Sequence, residues 1–404
     1  MRKKGKNMAA KNKKQIDTIE IEGELLNNVG YATYYSRLPL FTSFKIFNTA
    51  TESARDLTVA VTGSTKLILP CDVKIEEIPN ESSVEVSFPA VLNPKYLAEI
   101  EDAEVCTVGV KLLSGTDIIC SLSAEVTAIP IDCWSGLSGN AEMLASFVRP
   151  KLSDCQKILA EAGLQLRTWG YSSEFSGYAG TDKSGVRGAA AALYAAIHRL
   201  NVESEPCGDL SSFTRTGDIA DIIQNKSATP LQMALFAASC FEAAKLNPLI
   251  LIGKNCVGVG VWLAESCFSS ALQDDMQLLD KYVSDGVNNI TVFESEDFFA
   301  HKNASYATSE AHAITKLRNG DYEICIDVKR CRIGGIYPMP LKVKTGSGYE
   351  LLADSQFSYD ARPEDVFDAS KYEYGKTSSK ESNWQRRLLD LSLKNNLLNF
   401  RYRR

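Results

Sequence analysis

From residue 16 to about residue 126, apolar and polar positions alternate with a period of two. The pattern is carried by Ile19-Glu20-Ile21-Glu22, Phe44-Lys45-Ile46-Phe47, Leu57-Thr58-Val59-Ala60-Val61, Val84-Glu85-Val86-Ser87-Phe88 and Val108-Gly109-Val110-Lys111-Leu112. Successive side chains of a strand point to opposite faces, so this period predicts half-buried strands. Turn formers separate them: Asn48-Thr49, Gly63-Ser64, Pro79-Asn80 and Ser114-Gly115. Beyond residue 140 the period becomes helical. Met143, Leu144 and Phe147 predict a helix capped by Asn140 and interrupted by Pro150. Ile158, Leu159, Ala162 and Leu164 predict a second, with Trp169 and Tyr171 closing this layer over the core. Leu193, Ala196 and Ile197 mark a third over 183–200. The most apolar helix pattern covers 231–245, with Leu235, Phe236, Ala238 and Phe241 buried and Glu242 and Lys245 facing water. Asn247-Pro248 ends it, because proline disfavours helix in the residue before it. Apolar runs at 249–253, 256–263, 290–293 and 323–328 then predict strands.

This order of elements predicts an α+β chain. Residues 16–130 are expected to form an all-β, immunoglobulin-like sandwich, and residues 131–340 an α+β domain. A helix entered from a tight turn and packed on antiparallel strands is the core of the transglutaminase-like, papain-related cysteine enzymes. Such enzymes place a cysteine at the helix N-terminus, where unpaired N–H groups and the macrodipole favour the thiolate. A histidine on the next strand takes its proton, and an acid on the following strand orients the histidine.

Three stretches resemble one bacterial branch of that superfamily: Ala228-Thr229-Pro230-Leu231-Gln232-Met233-Ala234, Lys245-Leu246-Asn247-Pro248-Leu249 and Asn255-Cys256-Val257-Gly258-Val259-Gly260-Val261-Trp262-Leu263. The branch reads roughly Gly-Thr-Cys-Leu-Asp-Leu-Ala, Gly-Leu-Asn-Pro-Leu and Gly-His-Ala-x-x-Gly-x-Trp-Leu. The resemblance therefore puts Pro230 in the cysteine position and Cys256 in the histidine position. Glu294 is the candidate for the acid, with Asp274 and Asp275 as alternatives. It implies a degenerate triad, a pseudoenzyme with no catalytic residue. Proline suits a first helical position and Thr229 can cap it, so the helix start survives without the nucleophile.

After residue 340 the composition turns polar, and 341–381 reads as linker. Gly375-Lys376-Thr377 is half of a phosphate-binding loop, but Ser370 replaces the required earlier glycine. Residues 383–401 include Trp384, Leu388 and Leu391 on one helical face. Their wording resembles the start of a helical domain of unknown function in large bacterial proteins that continue into a superfamily 1 helicase motor. Residues 382–404 are expected to be the truncated beginning of that domain. The expected role is a non-catalytic recognition or regulatory N-terminal module of such a protein, in defence against foreign nucleic acid. The alternative is a cysteine-dependent hydrolase or acyltransferase with a rearranged site at Cys256, with Cys267 as a second candidate nucleophile.

Composition changes this picture little. Of 404 residues, 45% are hydrophobic and 23% charged, ordinary for a globular chain. The formal charge of −6 argues against a generally basic nucleic-acid-binding surface. The 11 cysteines show no CxxC spacing and there are only three histidines, His198, His301 and His312. No metal site and no cofactor are expected; reduced buried thiols suit a cytoplasmic location. Residues 1–15 form a basic tail, read first as a solvated terminus. Lys3, Lys4, Lys6, Lys13 and Lys14 are its candidates for nucleic-acid contact. No apolar run follows it and none is long enough to span a membrane. The expected partner is a protein or the remainder of a helicase-like chain.

Overall fold

The structure, a computed structural model, describes residues 18–352 apart from 65, 89–90, 218 and 346–347, and the side chains of 219–220 and 341–352 are not part of that description. The basic tail with Lys3, Lys4, Lys6, Lys13 and Lys14, the residues beyond 352 and the segment 382–404 lie outside the described residues.

The first layer pair contains β1 (Ile19–Leu25), β2 (Asn28–Val29), α1 (Tyr31–Tyr35), β3 (Phe41–Asn48), β4 (Ala54–Gly63), β5 (Cys71–Ile78), β6 (Ser82–Glu85), α2 (Pro94–Glu99), β7 (Glu104–Ser114) and β8 (Asp117–Ala128). They form a three-stranded sheet, β1-β3-β6, and a five-stranded sheet, β2-β8-β7-β4-β5. Register puts Ile21 opposite Ile46, and Val59 opposite both Leu112 and Val73. The inward residues Ile21, Phe44, Ile46, Val59, Val61, Val108, Val110 and Leu112 share one core. Each such side chain contributes about 1.5–3 kcal/mol by leaving water. Asn48 closes the turn after β3: its amide donates to the Ile78 carbonyl at 3.1 Å, and its Oδ1 accepts from the Ala50 N–H at 3.0 Å.

The second region is built on a five-stranded antiparallel sheet. Its elements are β9 (Cys133–Trp134), a 3-10 segment (Ala141–Phe147), α3 (Ser153–Thr168), α4 (Lys183–His198), β10 (Glu203–Ser204), β11 (Thr214–Arg215), α5 (Ile219–Asn225), β12 (Ser227–Ala228) and α6 (Pro230–Ala243). Then follow β13 (Pro248–Gly253), β14 (Val257–Trp262), β15 (Leu272–Gln273), α7 (Met276–Val283), β16 (Ile290–Glu294), 3-10 turns at Ser295–Phe298 and Ala300–Lys302, α8 (Tyr306–Asn319), β17 (Tyr322–Asp327) and α9 (Val328–Ile333). The sheet order is β15-β17-β13-β14-β16. One face packs on α6 through Ile250, Ile252, Val257, Val259, Val261, Phe293 and Ile326. The other packs on α7 and α8 through Leu249, Leu251, Ile290, Val292 and Cys325. Cover on both faces explains why β13, β14 and β16 read as unbroken apolar runs: every residue in them is buried.

Helix α6 starts at a capping box. Thr229 Oγ1 accepts from the Gln232 N–H at 3.3 Å, and Gln232 Oε1 accepts from the Thr229 N–H at 2.8 Å. Pro230 sits at the first helical position, and eleven of the fourteen helix residues are buried. Lys245, with φ of 63°, turns the chain out of the helix.

Several expectations need correction. Residues 141–147 form a 3-10 helix, and Asn140 makes no side-chain cap. Trp169 and Tyr171 do not close over the core; they are 45% and 46% exposed, because α3 ends before them and Gly170 turns the chain away with φ of 84°. Glu242 does not simply face water. It receives both arms of Arg332, Nε and Nη2, at 2.9 Å, and Arg332 is 2% exposed. The other guanidinium N–H groups donate to the carbonyls of Ala145, Val148 and Ile336. The expected linker begins with structure: β18 (Leu341–Thr345) pairs antiparallel with β19 (Gly348–Leu352).

The sandwich and the second region touch through α1. Ala32 is buried in the same core as Ile131 and Trp134, with Tyr31 and Leu38 packed against it. Arg215 Nη1 pairs with Asp132 at 2.6 Å, and Nη2 donates to the Glu101 carbonyl at 2.9 Å.

Candidate functional site

Alternation along β14 decides where the candidate residues point. Val257, Val259 and Val261 face α6, so Cys256, Gly258, Gly260 and Trp262 face the α7–α8 side. Glu294 ends β16 opposite Gly258, on the same face as Ile290 and Val292. Tyr322, the first residue of β17, reaches Glu294 over the β13–β14 hairpin: its hydroxyl donates to Glu294 Oε2 at 2.6 Å. Gly258 leaves that path open, since a Cβ there would lie 2.7 Å from the Tyr322 hydroxyl. Lys316 Nζ of α8 meets the same carboxylate oxygen at 3.1 Å. Oε1 is buried and has no partner among the described residues. Burial pushes the Glu294 carboxyl above its ordinary range, more than the Tyr322 hydrogen bond and the Lys316 charge pull it down. Lys316 shifts upward: its own desolvation is the largest single influence and lowers it, but the charge and hydrogen bond of Glu294, with Cys256 and Glu296, together outweigh it.

Cys256 lies in the hairpin just before β14. Its thiol donates to the Asp321 carbonyl at 3.4 Å. Burial, reinforced by the Glu294 charge and opposed by Lys316, pushes the thiol up to about 12. At neutral pH it is protonated and a poor nucleophile.

The three positions that the resemblance aligns with a triad therefore do not meet. Cys256 and Glu294 share one face with Tyr322 and Lys316. Pro230 is buried in the α6 layer on the other face, as the first residue of the helix. A different thiol occupies that helix start. The parallel pairing of Ser204 with Ala228, continued by the Glu205 N–H donating to the Ala228 carbonyl, draws the following residues alongside it. Cys207 then sits with its sulfur against the Leu231 N–H; burial raises its pKa, and that N–H opposes the rise. Nothing in the spacing of the sequence marks Cys207, because only the β10–β12 pairing brings it there.

The remaining candidates have structural places. Asp275 caps α7, its Oδ1 accepting from the N–H groups of Gln277 and Leu278 at 3.1 Å, and Asp274 is exposed beside it. Cys267 is half-buried, with its thiol raised by burial. His198 ends α4, stacked on Tyr194, and burial lowers its pKa against the pull of Asp297. His312 Nδ1 lies 2.9 Å from Asp297 Oδ2, and His301 stacks on Phe299. Trp262 is core: it packs on Phe268 and Tyr282, and its Nε1 donates to Asp327 Oδ2 at 3.2 Å. That buried carboxylate also accepts from the Phe268 N–H at 2.8 Å and caps α9 through the Arg330 N–H at 2.9 Å.

Among the described residues, no group of three or more His, Cys, Asp or Glu side chains could hold a metal ion. No helix among them is long and apolar enough to cross a membrane. No family model, curated protein or solved structure matches the chain.

Proposed function

We propose that this chain is a non-catalytic recognition or regulatory module of a larger, bacterial superfamily 1 helicase-like protein, acting in defence against foreign nucleic acid. On this reading the sandwich is immunoglobulin-like, and the second region is a transglutaminase-like domain that has lost its triad. The observation that carries it is the separation of the candidate positions: Pro230 lies in the α6 layer, and Cys256 and Glu294 lie on the other face of the sheet, where Glu294 is held by Tyr322 and Lys316 and the neighbouring thiol is protonated. Such a network spends its hydrogen bonds on rigidity. The motif resemblance at 228–263 and 383–401 supplies the family context. Contact with nucleic acid, where it occurs, runs through Lys3, Lys4, Lys6, Lys13 and Lys14; binding that stays flat across salt concentration removes that part of the proposal.

One observation favours a second reading, a cysteine-dependent hydrolase or acyltransferase: the Cys207 thiol stands at the α6 start, beside the Leu231 N–H. The rearranged site at Cys256 has no comparable support. The test is turnover of peptide, ester and amine-donor substrates by the full chain, with Cys256→Ala and Cys207→Ala as controls. Rates equal to buffer for all three proteins are expected. Turnover lost in either alanine variant overturns the non-catalytic reading and names the nucleophile.

A further inference from the structure

Helices α6 and α8 have the same length, fourteen residues, but are held differently. Helix α6 buries eleven of its residues; α8 buries Ser309, Ala313 and Leu317. Tyr306 adds ring packing on Phe293 and Tyr194, Ile314 packs partly buried, and polar ties supply the rest. Glu310 pairs with Arg187 of α4 at 2.6 Å, Lys316 with Glu294 of β16 at 3.1 Å, and Arg318 with Asp280 of α7 at 2.8 Å. His312 adds its bond to Asp297 at 2.9 Å. Each tie runs from α8 to a different element. Beneath α8, the Cys256 thiol, the Glu294 carboxylate and the Tyr322 phenol share a cluster with Ala313 and Leu317. One oxygen of Glu294 is buried there with no partner among the described residues.

We propose that α8 is a detachable cover over the Cys256–Glu294–Tyr322 face, held shut by charge pairs more than by apolar burial. Segments with few buried apolar contacts open at lower free energy than the global unfolding of the domain. In the closed state the thiol is inert; in the open state it meets solvent. This rests on the reading that the covered site is inactive. Thiol labelling reads the cover and the turnover assay reads the inactivity, so either can fail alone.

The experiment is labelling of the full chain by N-ethylmaleimide in native buffer, resolved by peptide mass spectrometry. Cys240, fully buried in α6, reports global unfolding. In the wild type, Cys256 is expected to label faster than Cys240, because the cover opens below global unfolding; in the variant H312Q/K316Q/R318Q its rate is expected to rise about tenfold, the combined effect of losing three part-exposed ties. A Cys256 rate unchanged in the variant, or a wild-type Cys256 rate no faster than that of Cys240, overturns the proposal. Hydrogen exchange of the wild type in rising salt gives a second measurement that needs no substitution. Amides of 306–319 are expected to be less protected than those of 230–243 and to lose protection as the ties are screened. Equal behaviour of the two helices overturns it.

Discussion

The Tyr322 hydroxyl donates to Glu294 Oε2 at 2.6 Å although β13 and β14 lie between their strands. The bond ties β17 to β16 and leaves Glu294 with a phenol where a catalytic acid would hold a histidine. It exists because Gly258 has no side chain.

Gly258→Ala would place a methyl group 2.7 Å from the Tyr322 hydroxyl. Tyr322 must then swing aside or β14 must shift, and Glu294 keeps Lys316 alone. A loss of about 1–3 kcal/mol in unfolding free energy is expected, as for other overpacked cores. Urea denaturation of the purified chain checks it; a midpoint equal to that of the wild type would show that the hydroxyl has another place to go.

The pH dependence at Glu294 has a definite sign. Its folded-state pKa is raised by burial, so its favourable contribution is complete below the unfolded value of about 4.3 and is lost as pH rises through the folded value. At neutral pH the ionised carboxylate is a cost. Glu294→Gln, which keeps an acceptor for Tyr322, should therefore raise the melting temperature at pH 7, with the advantage shrinking on acidification. A gap that widens toward low pH would contradict the sign.

Arg332 and Glu242 form a bidentate pair under α9, with the guanidinium also holding the carbonyls of Ala145, Val148 and Ile336. Arg332→Met removes all of these at once and strands a part-buried carboxylate. The expected cost is about 3–5 kcal/mol. The double variant Arg332→Met/Glu242→Leu should recover part of it, since no charge is then left unpaired. Equilibrium denaturation of both variants decides; a double variant no better than the single would mean that the carbonyl contacts carry the cost.

Thiol reactivity should follow geometry and not motif. Cys207 is half-buried at a helix N-terminus, where burial raises its pKa against the Leu231 N–H, whereas Cys256 is enclosed and raised to about 12. Limited alkylation at mildly alkaline pH should modify Cys207 before Cys256. Peptide mapping gives the order directly, and the reverse order would point to an accessible Cys256.

Local signals placed the elements closely. Helix α6, expected over 231–245, spans Pro230–Ala243: Thr229 and Pro230 mark its start, and the left-handed Lys245 ends it before Asn247-Pro248 is reached. The unbroken apolar runs marked β13, β14 and β16, since both sheet faces are covered. Where a local signal had competitors, it misled: Asn140 looked like a cap, yet the turn it precedes is 3-10 and its side chain makes no cap bond. Trp169 and Tyr171 are expected over the core, and the left-handed turn at Gly170 sends them out.

Periodicity, capping residues and turn formers act over a few positions, so the chain by itself determined its α+β content, the helix that begins at Pro230 and the strands that follow. The partners of Glu294, the neighbour of Glu242 and the thiol at the α6 start were decided only in three dimensions. Tyr322, Lys316, Arg332 and Cys207 reach those places through sheet order, register and a parallel pairing between distant short strands, none of which leaves a trace in local spacing.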